Sequence, residues 1–400
     1  MSSESPGPLA GVKVLELGTL IAGPFCARLL GEFGAEVIKI ETPEGGDQIR
    51  GWRKMYEGTS LWWYVQARNK KSVTVNLRSP EGQEIVRRLA RETDIVVENF
   101  RPGALEKWNI GWPQLSELNP RLIMVRLSGF GQNGPYRDRP GFGVVGEAMG
   151  GMRYVTGYPD RPPVRMGISI GDSIAALHGV IGAMMALHQR NVNGGKGQYV
   201  DVALYEAVFN MMESFIPEFD VLGFKRERAG NELPGITPSN TYATRDGKFV
   251  IIGANNDSIF KRLMTTIGRS DFANDASLAS NAGRVPRARE LDAAIERWTR
   301  EHDLNAVLEA LERADVPAGR VYDPEDIVND AHYAARKMVE TWRLPDGRPI
   351  KIPAVVPKLS DTPGGTRWLG PTLGEHNAEI LERLGYSADE QKALKERGVI

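Results

Sequence analysis

The stretch GVKVLELGTLIAGPFCARLLGEFGAEVIKIE, residues 11 to 41, restricts what this chain can fold into more than any other. Two short apolar runs, GVKVLELG (11–18) and AEVIKIE (35–41), read as buried strands. Between them TLIAGP reads as a turn and FCARLLGEFG as a helix, which together make a βαβ unit. The alternation recurs: SVTVNL (72–77) is strand-like, PEGQEIVRRLARET (80–93) is a helix with proline in its first turn, and DIVVENF (94–100) and RLIMVRLSGF (121–130) are strands. Repeated alternation predicts an α/β fold built on a parallel, doubly wound sheet. Ligands of such sheets bind beyond the carboxyl ends of the strands. The loops TLIAGP, TPEGGDQIR, NFRPGALEK and GFGQNGPYRDRPG are therefore the candidate site, and three of them carry arginine or lysine. GTLIAGP has the wrong spacing for G-x-G-x-x-G, which weakens a dinucleotide reading. GFGQNGP also reads as an ordinary turn-rich loop.

RMGISIGDSIAALHGVIGAMMAL, residues 165 to 187, carries a single acid, Asp172. Asp before an apolar run is a favoured helix N-cap. Ile174, Leu177, Ile181, Met184, Met185 and Leu187 follow at helical spacing, with Ala and Gly on the other faces, which predicts a helix buried nearly all round. An acid at the mouth of such a helix feels the positive end of its dipole and stays ionised, which suits a carboxylate nucleophile. On these residues alone, cap and nucleophile are both open.

Farther on, NVNGGKGQYVDVALYEAVFNMMESF reads as a glycine hairpin, a strand and a long amphipathic helix. Composition changes at GFKRERAGNELPGITPS (223–239), a polar linker into a smaller unit with one strand, YATRDGKFVIIG, and three helices, DSIFKRLMTTIG, ARELDAAIERWTR and LNAVLEALERADV. The expected division is a large domain over 1–224, completed by 335–400, and a small domain over 225–334. The closing part is the extended WRLPDGRPIKIPAVVPKLS and the helix pair NAEILERLG and SADEQKALKERG.

Four hundred residues, 41% hydrophobic and 25% charged, suffice for two domains. Fifty basic against fifty-one acidic side chains argue against a nucleic-acid surface covering the protein. MSSESPGPLA lacks a basic segment followed by an apolar one, and no uninterrupted apolar run reaches membrane-helix length. The expectation is a soluble, cytoplasmic protein with no membrane partner. A single cysteine, Cys26, excludes an intramolecular disulfide and a Cys-based zinc site, and the five histidines show no H-x-x-x-H spacing, so no metal is expected. Cys26, inside an apolar pattern, reads as a buried structural thiol.

Several separated motifs agree in order and spacing with one family. PLAGVKVLELGTLIAGP, GAEVIKIE, NKKSVTVNL, DIVVENFRPGALEK, LNPRLIMVRLSGFGQNGP, the Gly-Asp pair before the apolar helix, GKGQYVDVALYEAV and LGEHNAEIL resemble the class III CoA-transferases of the formyl-CoA transferase and carnitine CoA-transferase type. The likeness covers the large-domain portions; residues 225–330 fit in length and pattern only. It implies a Rossmann-like domain with a smaller α+β domain, in an intertwined homodimer whose chains form interlocked rings. It also implies coenzyme A and acyl-CoA as substrates with no prosthetic group, small carboxylic acids as partners, and Asp172 as nucleophile. Arg78, Asn99, Arg101 and Lys107 resemble the family's CoA contacts, joined by Val75 and Arg139, while Leu20, Ile21 and Ala22 would flank the acyl thioester. Each of these charged side chains reads equally well as a solvated surface group.

This chain departs from formyl-CoA transferases in three places. Ile21 stands where they carry glutamine, Thr42 replaces a basic residue, and their glycine-rich substrate loop is not recognisable. The expected acids are instead small dicarboxylates such as succinate or malate, with succinyl-CoA as donor. Trp52, Trp62 and Trp63 are candidates for an acyl pocket or for core packing. An α-methylacyl-CoA racemase would share fold and CoA site but needs a base, and Phe142 stands where its histidine would be. A non-catalytic acyl-CoA binder is the third reading, and it has no need of Asp172. His178 and His188 read as structural.

Overall fold

A computed structural model describes residues 6–400. The chain divides into two compact units, one of residues up to 152 with 166–213 and 335–400, the other of 153–165 and 214–334. Residues 153–165 and 214–224, expected in the large domain, thus go with the second unit.

Six strands form the sheet of the first unit: β1 (Lys13–Glu16), β2 (Glu36–Glu41), β3 (Lys70–Thr74), β4 (Ile95–Glu98), β5 (Ile123–Ser128) and β6 (Tyr199–Ala203). Their spatial order is β3-β2-β1-β4-β5-β6 and every pairing is parallel. This is the doubly wound order, whose direction of winding reverses between β1 and β4. Successive side chains of a strand point to opposite faces. Val14, Val37, Val97 and Val125 accordingly pack with α1 (Ala22–Glu32), whereas Leu15, Ile38, Val96 and Met124 pack with α2 (Pro80–Ala90). Proline starts α2 where its missing N–H is not needed, and Ser79 caps it by accepting from the Gly82 amide at 3.0 Å.

Beyond β5 come α3 (Gly143–Met149) and α4 (Ile170–Val192), the latter packed on the same face as α1. It is not buried all round as its small residues suggested. Leu177, Ile181, Met184, Met185, His188 and Val192 lie at intervals of four, three, one, three and four residues and form an exposed stripe. At 23 residues α4 is also long and apolar enough to cross a membrane by length and composition, although Asp172, His178, His188 and Arg190 keep it from being an uninterrupted apolar run. In this fold it packs on the sheet.

The glycines after α4 form a turn into parallel β6, not a hairpin. A side chain at Gly197 would meet the Leu122 carbonyl oxygen at 1.8 Å. The long helix expected next is broken: α5 (Leu204–Phe209) stops before Glu213, whose φ of 52° no helix continues.

In the second unit the single strand expected over YATRDGKFVIIG is a hairpin of β7 (Ser239–Ala243) and β8 (Phe249–Gly253), joined by β9 (Ala318–Arg320) in an antiparallel sheet. Its helices α6 (Asp257–Thr266), α7 (Ala288–Arg300) and α8 (Leu304–Arg313) close a core that includes Val250, Ile252, Leu263, Leu291, Ile295 and Leu311.

Candidate active site

The chain leaves β1 and β4 side by side at the point where winding reverses. Asn99 ties the two loops together. Its Oδ1 accepts from the Thr19 amide at 2.8 Å and its Nδ2 donates to the Thr19 carbonyl at 2.9 Å. Gly18 and Gly23 allow this approach, because a Cβ on either would lie 2.9 or 3.2 Å from Asn99 Oδ1. The next residue, Leu20, has a φ of 65°, and its amide donates to both Asp47 carboxylate oxygens at 3.0 and 3.2 Å. Behind β4, Glu98 accepts from the Phe100 amide at 2.8 Å and from Arg126 at 2.9 Å, which sets the course of residues 99–101.

Two cavities open here, sharing Thr19 and Phe100. One, of about 330 Å³, is lined by Leu20, Ile21 and Ala22, by Asn99 and Arg101, by Trp52 and Phe142, and by Asp172. The other, of about 400 Å³, lies over β2 and β3 and is lined by Thr42, Asp47, Val75, Arg78 and Trp108.

Asp172 is not the N-cap. Ser169 takes that position, and Asp172 is the third residue of α4, half-buried within the turn where the helix dipole is most positive. Its carboxylate lies against Gly143, the first residue of α3; a Cβ there would sit 2.1 Å from Asp172 Oδ2. α3 and α4 meet just as closely through Gly171, where a Cβ would lie 2.9 Å from the Gly143 carbonyl oxygen. The loop GFGQNGPYRDRPG leaves and returns through a pinch in which a Cβ on Gly129 or Gly141 would come within 2.8 Å of the other's Cα. That pinch brings Phe142 and Gly143 to Asp172.

Of the residues singled out from the sequence, Asp172, Ile21, Asn99 and Arg101 meet in one cavity, and Val75 and Arg78 in the other. Lys107 and Arg139 are exposed and line neither; Arg139 stacks on Tyr136 at 3.7 Å. Asn99 holds backbone with both ends of its amide. The tryptophans part company: Trp52 lines the Asp172 cavity, Trp62 stacks with Arg53 at 4.4 Å, and Trp63 is core, donating to the Pro371 carbonyl at 2.8 Å. His178 contacts the Ile174 carbonyl and Asn210, and His188 is exposed. Cys26 is fully buried; loss of hydration, reinforced by Glu16, pushes its thiol pKa up to about 12.

Sequence reasoning missed Gly143, Glu98, and the buried charges Glu16, Lys39, Lys70 and Asp47 beneath the first loop. The one signal was a lysine and acids inside otherwise apolar strands, as in VIKIE. No group of three or more His, Cys, Asp or Glu among the described residues is arranged to hold a metal ion.

Residues 9–377 match the family described as CoA-transferase family III. The chain is 51% identical over 401 residues to a succinyl-CoA–D-citramalate CoA-transferase of Chloroflexus aurantiacus, covering 100% of both chains. It is 42% identical over 388 residues to the beta subunit of a succinyl-CoA–L-malate CoA-transferase of the same organism, covering 96% of both. The crystal structure of a CAIB/BAIF family protein from Brucella suis superposes with a TM-score of 0.83 at 35% identity, covering 94% of this chain and 99% of that one. With the matching family spanning nearly the whole sequence, this chain belongs to CoA-transferase family III and is an enzyme that moves CoA from an acyl thioester to a carboxylic acid.

Proposed function

We propose that the enzyme takes CoA from succinyl-CoA and gives it to a small dicarboxylic acid of the malate or citramalate class, with Asp172 as the covalent carrier. The observation that carries this reading is the Asp172 carboxylate in a cavity that shares two residues with a second one bearing Arg78. A cation at the rim of the second cavity suits the phosphates of CoA. The acids follow from the two Chloroflexus relatives, whose names specify succinyl-CoA with D-citramalate and with L-malate.

In this scheme the Asp172 carboxylate attacks the thioester carbonyl, the C–S bond breaks, and a mixed anhydride and CoA thiolate form. The thiolate then attacks the aspartyl carbonyl, releasing succinate and leaving an aspartyl-CoA thioester. The acceptor carboxylate attacks that carbonyl, giving a second anhydride and thiolate. Attack of the thiolate on the acceptor's acyl carbon yields the new acyl-CoA and restores Asp172. Covalent catalysis divides one difficult exchange into steps of similar energy. A racemase is disfavoured because Phe142 cannot accept an α-proton.

The test is CoA transfer from succinyl-CoA to D-citramalate, L-malate, glutarate and oxalate. Turnover is expected with the first two above the others. Equal or better turnover with oxalate overturns the substrate assignment. We further propose that the enzyme works as an interlocked homodimer, in keeping with the exposed apolar stripe on α4; the mass of a single chain by light scattering at micromolar concentration refutes it.

A further inference from the structure

Four fully buried charges lie directly beneath the turn that follows β1. The Lys39 ammonium has three donors and three partners: Glu16 Oε1 at 2.7 Å, the Gly18 carbonyl at 3.0 Å and Asp47 Oδ2 at 2.7 Å. Asp47 in turn accepts from the amides of Ile49 and Leu20. Lys39 therefore grips the loop before Thr19 directly and after Thr19 through Asp47. Lys70 extends the device, bonding Glu16 and the Pro24 carbonyl of α1 at 2.7 Å each. Glu16, Lys39, Asp47 and Lys70 have side chains no more than 1% exposed.

Stability does not explain such a cluster, since burying charge costs solvation that the pairs only partly recover. Geometry does. Leu20 occupies the left-handed region, which bulky residues avoid unless surrounding structure imposes it. The Asp47 carboxylate is what holds its amide, and the turn so fixed presents Leu20, Ile21 and Ala22 to the cavity that contains Asp172.

We infer that Asp47 and Lys39 are positioning residues for CoA transfer, holding the strained Leu20 turn so that the wall facing Asp172 keeps one shape. This rests on the proposal that the Asp172 cavity is where the acyl group reacts. Neither residue has a part in the chemistry itself. Their effect is on kcat, because a displaced wall misaligns the thioester; Asp47 also lines the cavity over β2 and β3, whereas Lys39 lines neither cavity, so KM is read on Lys39.

The test compares Asp47→Ala with Asp47→Asn, which keeps an oxygen for the Leu20 amide. Misplacement of about 1 Å costs a reaction roughly 10²-fold, so Asp47→Ala should lose about that in kcat, and Asp47→Asn should recover to within about tenfold of wild type. Hydroxylamine trapping of the acyl adduct on Asp172 should slow in parallel. A folded Asp47→Ala enzyme with wild-type kcat and trapping rate overturns the inference. If that variant does not fold, Lys39→Gln decides: a kcat loss at unchanged KM supports the role, and unchanged kcat refutes it. Wild type that traps no hydroxamate on Asp172 marks failure of the covalent reading instead.

Discussion

The two cavities at the reversal of the sheet share Thr19 and Phe100 yet differ in how far backbone pinning shapes them. Around Asp172 the first-loop backbone is pinned by side chains, Asn99 on Thr19 and the buried Asp47 on Leu20, and Gly143 lies against the carboxylate itself, with the exposed Trp52, Arg101 and Phe142 completing the lining. Around Arg78 the groups available to a ligand include exposed side chains, Arg78 and Thr42 among them, set on the rim of β2 and β3. Under the function proposed above, the difference separates two tasks. A reacting carbonyl needs placement within a fraction of an ångström, which only packed backbone and buried bonds supply. A phosphate-bearing handle needs attraction, which long exposed cations provide without fixed geometry.

The sharpest way to break this contrast is Asp172→Asn. Asp172 is not the cap of α4, so the substitution should leave the helix intact and cost at most about 1 kcal/mol through the dipole. Because an amide cannot form the anhydride, kcat should fall by about 10³-fold or more. Thermal unfolding and a steady-state assay on one preparation check both parts, and an active variant shown not to have deamidated ends the nucleophile reading.

Smaller effects belong to the exposed cations. Arg78→Ala and Arg101→Ala should each raise KM for acyl-CoA about tenfold if each loses one charge-assisted bond to phosphate, with kcat largely retained. Lys107→Ala should do less, and Arg139→Ala less than twofold, because stacking on Tyr136 already occupies its guanidinium. Arg139→Ala with a tenfold effect would show that the handle reaches beyond the two cavities.

The smallest signal concerns the packed side alone. Cys26 faces α4 from α1, where a Cβ on Gly179 would sit 3.2 Å from its sulfur. Since the thiolate is the reactive form and burial pushes the pKa up to about 12, a thiol reagent at pH 8 should label Cys26 only after unfolding. Rapid labelling of native enzyme would mean that the wall behind Leu20 opens.

Much of this fold is local in origin and was legible. Strand and helix periodicity needs only neighbours within four residues, so β1, α1, β2, α2, β4 and β5 stand within a few residues of where GVKVLELG, AEVIKIE and their repeats put them. The loops at the strand ends, and Asp172 as the one acid before an apolar helix, were marked by the same patterns. Errors arose where a pattern has two outcomes. A helix of alternating large and small residues suits a buried rod or one packed on a single side, and the run NMM after Phe209 did not reveal the break at Glu213.

What the sequence by itself determined is therefore the order of elements and the residue types at their ends, because these depend on backbone propensity and short-range periodicity. Tertiary structure alone decided that Gly143 meets Asp172 across 29 positions of chain, that Lys39 and Asp47 reach under Leu20, and that Asn99 spans 80 residues to hold Thr19. Such partners come together only when strands dock in one spatial order, and a buried charge or a glycine acquires its role from whatever that docking places against it.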